Sequence, residues 1–533
     1  MAALLVASNG ADAGVVNYEN PYGETVDQLS ISTTAPYVSN AGSIANFYGE
    51  NGIEVVGTTV EGSISNAGSI SVSDVEEGDD ILRGISVVGS SIWGNIDNSG
   101  TIDVMAQGTG YGQSSRYAAG IELGEESLFS GSVSNDGSID VYARVANVDE
   151  YGSEEGDISL AAEAAAYGIR LDNSGLSSSG VISNSGDIDV EATSQVDQSA
   201  SHSGESIDSW GDGYARAYAA GIDARNDGHV GDDHRGPGVA GGVYLYSYDA
   251  GIDVAATAQS FSAVLATADC EDSNEFCSDP CYADVSVVDD ASAQAYGLTL
   301  GGNSAVVGAI YNDAMIEVSA LAETQSDADV TSLSGSARAF AGYREVKEYE
   351  YDEYFDVSEV DAAATGLNVD LLQVQGDIIN SEDIQALAIA IGQSTATADA
   401  LGYVEAMAGN DVYAVARGIA VDTLLINGDF TNEASAIGLA EANSTNTSLA
   451  LSEGEAESKA ISDARAVAAG IDIRTDALGG TFTNENEGYW HHNHFYGEVV
   501  KGEASAHVVA DASANGGEHS SADAIGYAQA EAH

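Results

Sequence analysis

The sequence predicts an all-β fold, a parallel β-solenoid (β-helix) of about ten rungs with long hairpin-like arms extending from one edge. Two alternating motifs, their uneven spacing and a period-2 hydrophobic pattern predict it. The first motif is apolar-x-Asn-x-Gly-x-Ile-x-Val, clearest at Ile64-Ser65-Asn66-Ala67-Gly68-Ser69-Ile70-Ser71-Val72. Close copies centre on Asn98, Asn135 and Asn184, looser ones on Asn40, Asn312, Asn380, Asn432 and Asn484, and Tyr248 stands where one copy would carry its Asn. The second motif, Gly-(Ile/Leu)-x-apolar, starts at Gly52, Gly84, Gly120, Gly168, Gly221, Gly297, Gly366, Gly418 and Gly470, with a final copy expected at Gly526. From Gly52, Gly84, Gly366, Gly418 and Gly470 the next Asn follows after 14 residues, whereas the return from Asn to Gly runs from 12 to 54. A fixed half and an elastic half in every unit mean that insertions leave a stack from one edge.

Each element follows from local chemistry. Ile70 and Val72, Ile102 and Val104, Ile139 and Val141, Ile188 and Val190 alternate with polar residues, so the fixed half is strand with one buried face. Alanine continues that face at Ala106, Ala143, Ala192, Ala256, Ala320 and Ala388. The pairs Asn66 and Gly68, Asn98 and Gly100, Asn135 and Gly137, Asn184 and Gly186 suit corners. Asn bonds local backbone and, stacked in register, bonds its counterparts in adjacent rungs. The elastic half is strand-like too: residues 386–417 place Ala at nearly every second position around a polar break near Gly409-Asn410. Each such segment reads as an out-and-back arm whose Ala faces meet across a thin interior, and the lengthening of the arms from Asn40 to Asn312 predicts a stack that fans out like a wedge. With 62 Gly and β-branched residues in every unit, a helical reading fails. Residues 1–37 read as an N-terminal segment serving as first cap or donor strand, and 38–533 as the repeat domain.

Composition bounds the setting. The 85 Asp and Glu against 15 Lys and Arg give a formal net charge of -70, which argues against nucleic acid and anionic membranes as partners. No segment approaches the roughly 20 apolar residues of a membrane-spanning helix, and Met1–Asn9 lacks the basic start of an export signal.

The Ile-x-Asn-x-Gly-x-Ile-x-Val repeats over 38–533 resemble those of bacterial autotransporter passenger domains and related large surface adhesins. The resemblance implies a secreted protein acting at the cell surface or in the extracellular matrix, in adhesion, aggregation or as a stalk, with a glycan or protein ligand and no membrane insertion of its own. The chain departs from that pattern in its long arms and in showing no translocator barrel. β-Solenoids also host polysaccharide lyases and hydrolases, the alternative reading. No nucleophile or phosphate-loop motif supports it, and among 85 acids carboxylate pairs arise by composition alone. The expectation is therefore a non-enzymatic protein that requires no cofactor.

Three clusters are the candidates for chemistry. Asp103, Asp140, Asp189, Asp253 and Glu317 lie between the Ile and Val (or their equivalents) of successive first motifs, so stacking would put them in one outward column. That column is either a site for a divalent cation such as Ca2+ or a solvated acidic face. Cys270, Cys277 and Cys281 share one acidic arm and suggest a single disulfide in an oxidising compartment, with a metal site as the sharper alternative. Trp490, His491, His492 and His494 form the one aromatic and histidine concentration, read as a contact for a metal or sugar ring or as a packed corner. Tyr349, Tyr351 and Tyr354, alternating with acids, pose the same choice. Finally, Gly526 predicts a further Asn motif near position 540, so the last rung is read as open. Residues 2–17 would complete the open rung of another copy, joining subunits head to tail.

Overall fold

The computed structural model describes residues 17–533 apart from 48–50, 75–79, 111, 125–126, 150–157, 173–174, 177–179, 205, 226–241, 270–280, 334, 349–351, 485–488, 492–493, 497–499 and 518. Every regular element among them is a strand, and nearly all pairing is parallel between successive rungs. The chain is a parallel β-solenoid. Its corner position is occupied in eleven successive rungs by Asn20, Asn40, Asn66, Asn98, Asn135, Asn184, Leu245, Asn312, Asn380, Asn432 and Asn484.

The corner is built as its residues require. Each buried Asn donates its side-chain amide to the side-chain oxygen of the next, at 2.7–2.9 Å, from Asn20 to Asn184 and again from Asn312 to Asn484. Two ladders result because Leu245 takes the position between Asn184 and Asn312. The sequence assigned that place to Tyr248, but a register shift between Tyr246 and Gly251 moves it three residues upstream. Asn20 was missed because Pro21 and Tyr22 follow it in place of the motif. The strands Tyr18–Asn20, Thr25–Val26 and Leu29–Ile31 pair in register with the following rung, so the stack begins with a rung that precedes Val38. Residues 2–16, most of the expected donor strand, lie outside the described residues.

Each rung starts in one long sheet and returns in a second; in the early rungs, two-residue strands such as Thr59–Val60 and Ser91–Ile92 form a third side. Gly57 and Gly89, at φ 60 and 56, make the turn into that side in a left-handed conformation that side chains disfavour. After the corner, the outgoing strand grows from 4 residues (Ser43–Asn46) through 10 (Thr101–Gly110) to 18 (Asp187–Gly204), then stays near 17 (Ile384–Ala400, Ala436–Ser452). At ~3.3 Å per residue this extends the blade from about 13 to about 60 Å. The wedge is real, but the arms are not hairpins. Outgoing and returning strands lie in different sheets, and each pairs with its counterparts in neighbouring rungs. Small side chains let the two sheets face each other closely: Ala106, Ala143, Ala192, Ala256, Ala320 and Ala388 form one buried column as expected.

The second motif owes its glycine to this closeness. A Cβ on Gly84 would lie 2.3 Å from Cγ2 of Ile102, and one on Gly366 2.1 Å from Cγ2 of Ile384. The glycine leaves room for the isoleucine of the opposite sheet that follows the next corner. Gly526 is not a copy of this motif. It pairs with Ser462, and Ala532 already pairs with Ala468, so the position equivalent to Gly470 falls beyond His533. The expectation of an Asn motif near 540 therefore rested on a misaligned glycine.

Inside the blade runs a seam of buried polar residues parallel to the stack. Ser262, Ser326, Ser394 and Asn446 form a column of the first sheet. Facing it, Ser358, Asn410 and Ser462 align in the second, and the Asp289 N–H donates to Ser358 Oγ at 3.0 Å.

Candidate functional site

The acidic column is formed as the sequence indicates. Asp103, Asp140, Asp189, Asp253 and Glu317 are successive register partners and all exposed. Ser71 precedes them and Gln385 follows. Partial burial and the neighbouring Asp140 hold the Asp103 carboxyl above its ordinary range; partial burial with Asp253, Asp140 and Glu191 does the same for Asp189. Carboxylates one rung apart, ~4.8 Å, repel by roughly 0.9 kcal/mol per pair at the dielectric of water. The arrangement is a line, not a cage: among the described residues no three His, Cys, Asp or Glu side chains converge as metal ligands.

Cys281 is disulfide-bonded, while Cys270 and Cys277 lie outside the described residues. Its strand, Cys281–Val306, pairs in register on both sides, so the cross-link sits at the start of a returning strand and not in the corner. Reduction is expected to leave the melting of the corner ladder unchanged and to loosen only this arm. Hydrogen exchange with and without reductant measures this, and global unfolding on reduction would contradict it.

Tyr489–His491 and His494–Tyr496 form a small antiparallel hairpin that places Trp490 opposite Phe495 and His491 opposite His494; His492 lies outside the described residues. Tyr343–Glu348 and the start of Asp352–Val374 form a second hairpin, with Tyr354 opposite Val346. Tyr349 and Tyr351 are outside the described residues, and Tyr343 is buried at the hairpin's base.

A cluster on the outer face of the second sheet escaped the sequence reading, in which the arginines look scattered. Tyr117, Tyr167, Tyr218 and Tyr296 alternate between adjacent columns, and their rings follow one another at 5.3, 5.2 and 5.7 Å. Arginines lie across them: Arg83 is 5.5 Å from the Tyr117 centroid, Arg170 4.6 Å from Tyr167, and Arg225 4.9 Å from Tyr218. Carboxylates close the cluster, Arg83 pairing with the buried Glu122 and Arg225 with the buried Asp223 at 2.8 Å. Burial, with Glu122 and Asp223 beside them, pushes the Tyr117 and Tyr218 hydroxyls well above their usual range. With its charges matched, this ladder binds strand to strand and is not an open anion site. The signal for it in the sequence is the Tyr or Arg standing within five residues of Gly84, Gly120, Gly168, Gly221 and Gly297.

A cleft of about 460 Å³ opens where the strand Gln113–Leu123 steps down from the longer Ile158–Leu171, with Glu163, Asp212 and Tyr214 on its walls. It follows from the widening of the fan, and Ser114, Ser115 and Ser159 also line it. Comparison with models of known protein families, with curated proteins and with solved structures returned no match.

Proposed function

We propose that this chain is an acidic structural or adhesive β-solenoid of the cell surface or extracellular matrix, similar in role to autotransporter passengers and surface adhesins. The observation that carries the reading is the uninterrupted stack. Strand follows strand through eleven rungs, and the first plate carries acids in register on its outer face. A disulfide at Cys281 fits an oxidising compartment. A blade of this kind works as a rigid spacer or contact plate with a protein or glycan partner. Association of copies end to end belongs to the same proposal, as an extension of the stack by strand addition.

The test is direct. Antibody and protease accessibility on intact cells should find the protein outside, and negative-stain images of purified protein should show blades or fibres. Cytosolic protein, cleavage of a polysaccharide panel, or strictly monomeric behaviour by light scattering at high concentration would each remove one part of the proposal. The acidic column adds a second measurement. Chelation at low ionic strength should lower the melting temperature, and calcium should restore it better than sodium at equal ionic strength; indifference to chelator leaves a solvated face.

A further inference from the structure

Deep in the blade, remote from the acidic column, Asp289 is completely buried between the sheets. Its Oδ1 accepts from Ser260 Oγ at 2.7 Å and from Ser262 Oγ, and its Oδ2 from Ser326 Oγ at 2.8 Å. Among the described residues no Lys or Arg pairs with it: the inward faces of the strands around it carry mostly Ala, Val, Ser, Thr and Gly, with Gln198 and His202. Asp290 points to the other face, where it accepts the Glu359 N–H at 2.8 Å. His202 is an inward ionisable group on the neighbouring Asp187–Gly204 strand, four residues beyond Gln198.

Two further observations mark the place as more than a buried acid. Thr324 Oγ1 and Gln198 Oε1 are fully enclosed and have no hydrogen-bond partner among the described residues. Thr324 is the register partner of Ser260 and stands two residues before Ser326 on the same face, while Gln198 Nε2 donates to Ser262 Oγ. Gly213 lets the carboxylate and the serine come this close to the facing strand, because a Cβ there would come within 2.2 Å of Asp289 Oδ1 and 2.3 Å of Ser260 Oγ.

We propose that Asp289, the hydroxyls of Ser260, Ser262, Ser326 and Thr324, and the amide oxygen of Gln198 form a buried site for a small monovalent cation of the sodium class. Hydroxyls that donate to a carboxylate keep their lone pairs for a cation, so the ligands are all hard oxygens. One positive charge neutralises the one carboxylate. A divalent ion would leave excess charge in an alanine-lined interior, and Ca2+ sites ordinarily supply several carboxylates. The ion would enter as the rungs close and would stabilise the folded state by mass action.

The experiment is thermal unfolding of the full chain at pH 8 in sodium chloride and in choline chloride at equal ionic strength, with and without Asp289→Asn. Sodium is expected to raise the melting temperature of the natural protein by about 2 °C or more over choline, and this increment should vanish in Asp289→Asn. Thr324→Val, which keeps the carboxylate, should reduce the increment and serves if the first variant does not fold. Equal melting in the two salts overturns the proposal. So does a sodium increment that persists undiminished in either variant, since sodium would then act on the outer acids.

Discussion

Replacing Gly100 with alanine is expected to cost more than about 4 kcal/mol, the range of severe core overpacking. The corners of successive rungs rest on one another. A Cβ on Gly100 would lie 1.9 Å from the carbonyl oxygen of Gly68, and one on Gly137 2.0 Å from that of Gly100. The clash is with backbone, so no side chain can rotate away. Relief requires the rungs to separate where Asn66 donates to Asn98 at 2.7 Å and the Thr101 N–H to the Gly68 carbonyl at 3.0 Å. The Asn bond is buried, and leaving its groups unpaired adds about 1–3 kcal/mol. The control lies beyond Leu245, where the equivalent places are filled by Ala314, Glu382 and Ala434, so the corner there accepts a Cβ. Ala314→Gly should change stability by less than about 1 kcal/mol. Urea unfolding of both variants checks this, and equal effects would show that the corner yields more readily than its spacing implies.

The second large effect concerns pH. Burial raises the Asp289 carboxyl from 3.8 to about 7, against the pull of its three serine hydrogen bonds. A carboxyl whose folded pKa is raised holds its proton more tightly when folded than when unfolded. Stability from this group is thus greatest below pH 4, falls as pH rises from about 4 to about 7, and stays low above. At about 1.4 kcal/mol per unit, three units correspond to a loss on the order of 4 kcal/mol. Asp103, Asp189, Asp361 and Asp411, raised by partial burial and by neighbouring acids, slope the same way. In choline buffer, the urea midpoint of the natural protein should therefore decline between pH 4 and 7. Asp289→Asn should remove most of that decline and be the more stable protein at pH 8. A midpoint with the same pH dependence in both proteins would show that the group stays ionised.

Much of the architecture was legible in the chain. Alternation of Ile, Val and Ala with polar residues determined the strands and their buried faces, because side-chain direction in a strand depends on position alone. The Asn-x-Gly corners, the outward register of Asp103 through Glu317 and the widening of the blade follow from that alternation and from the motif spacing. Tertiary structure decided what meets across the stack. Nothing local distinguishes Leu245 from Tyr248 as a corner residue, or shows that Gly526 belongs beside Ser462, because the lengths of insertions do not fix register between rungs. The same holds for Gly366 facing Ile384, Arg170 crossing Tyr167, and Asp289 meeting Ser260, Ser262 and Ser326. Each contact joins residues on different strands. Periodicity along one strand fixes which way a side chain points, and only the packing of the sheets fixes what it touches.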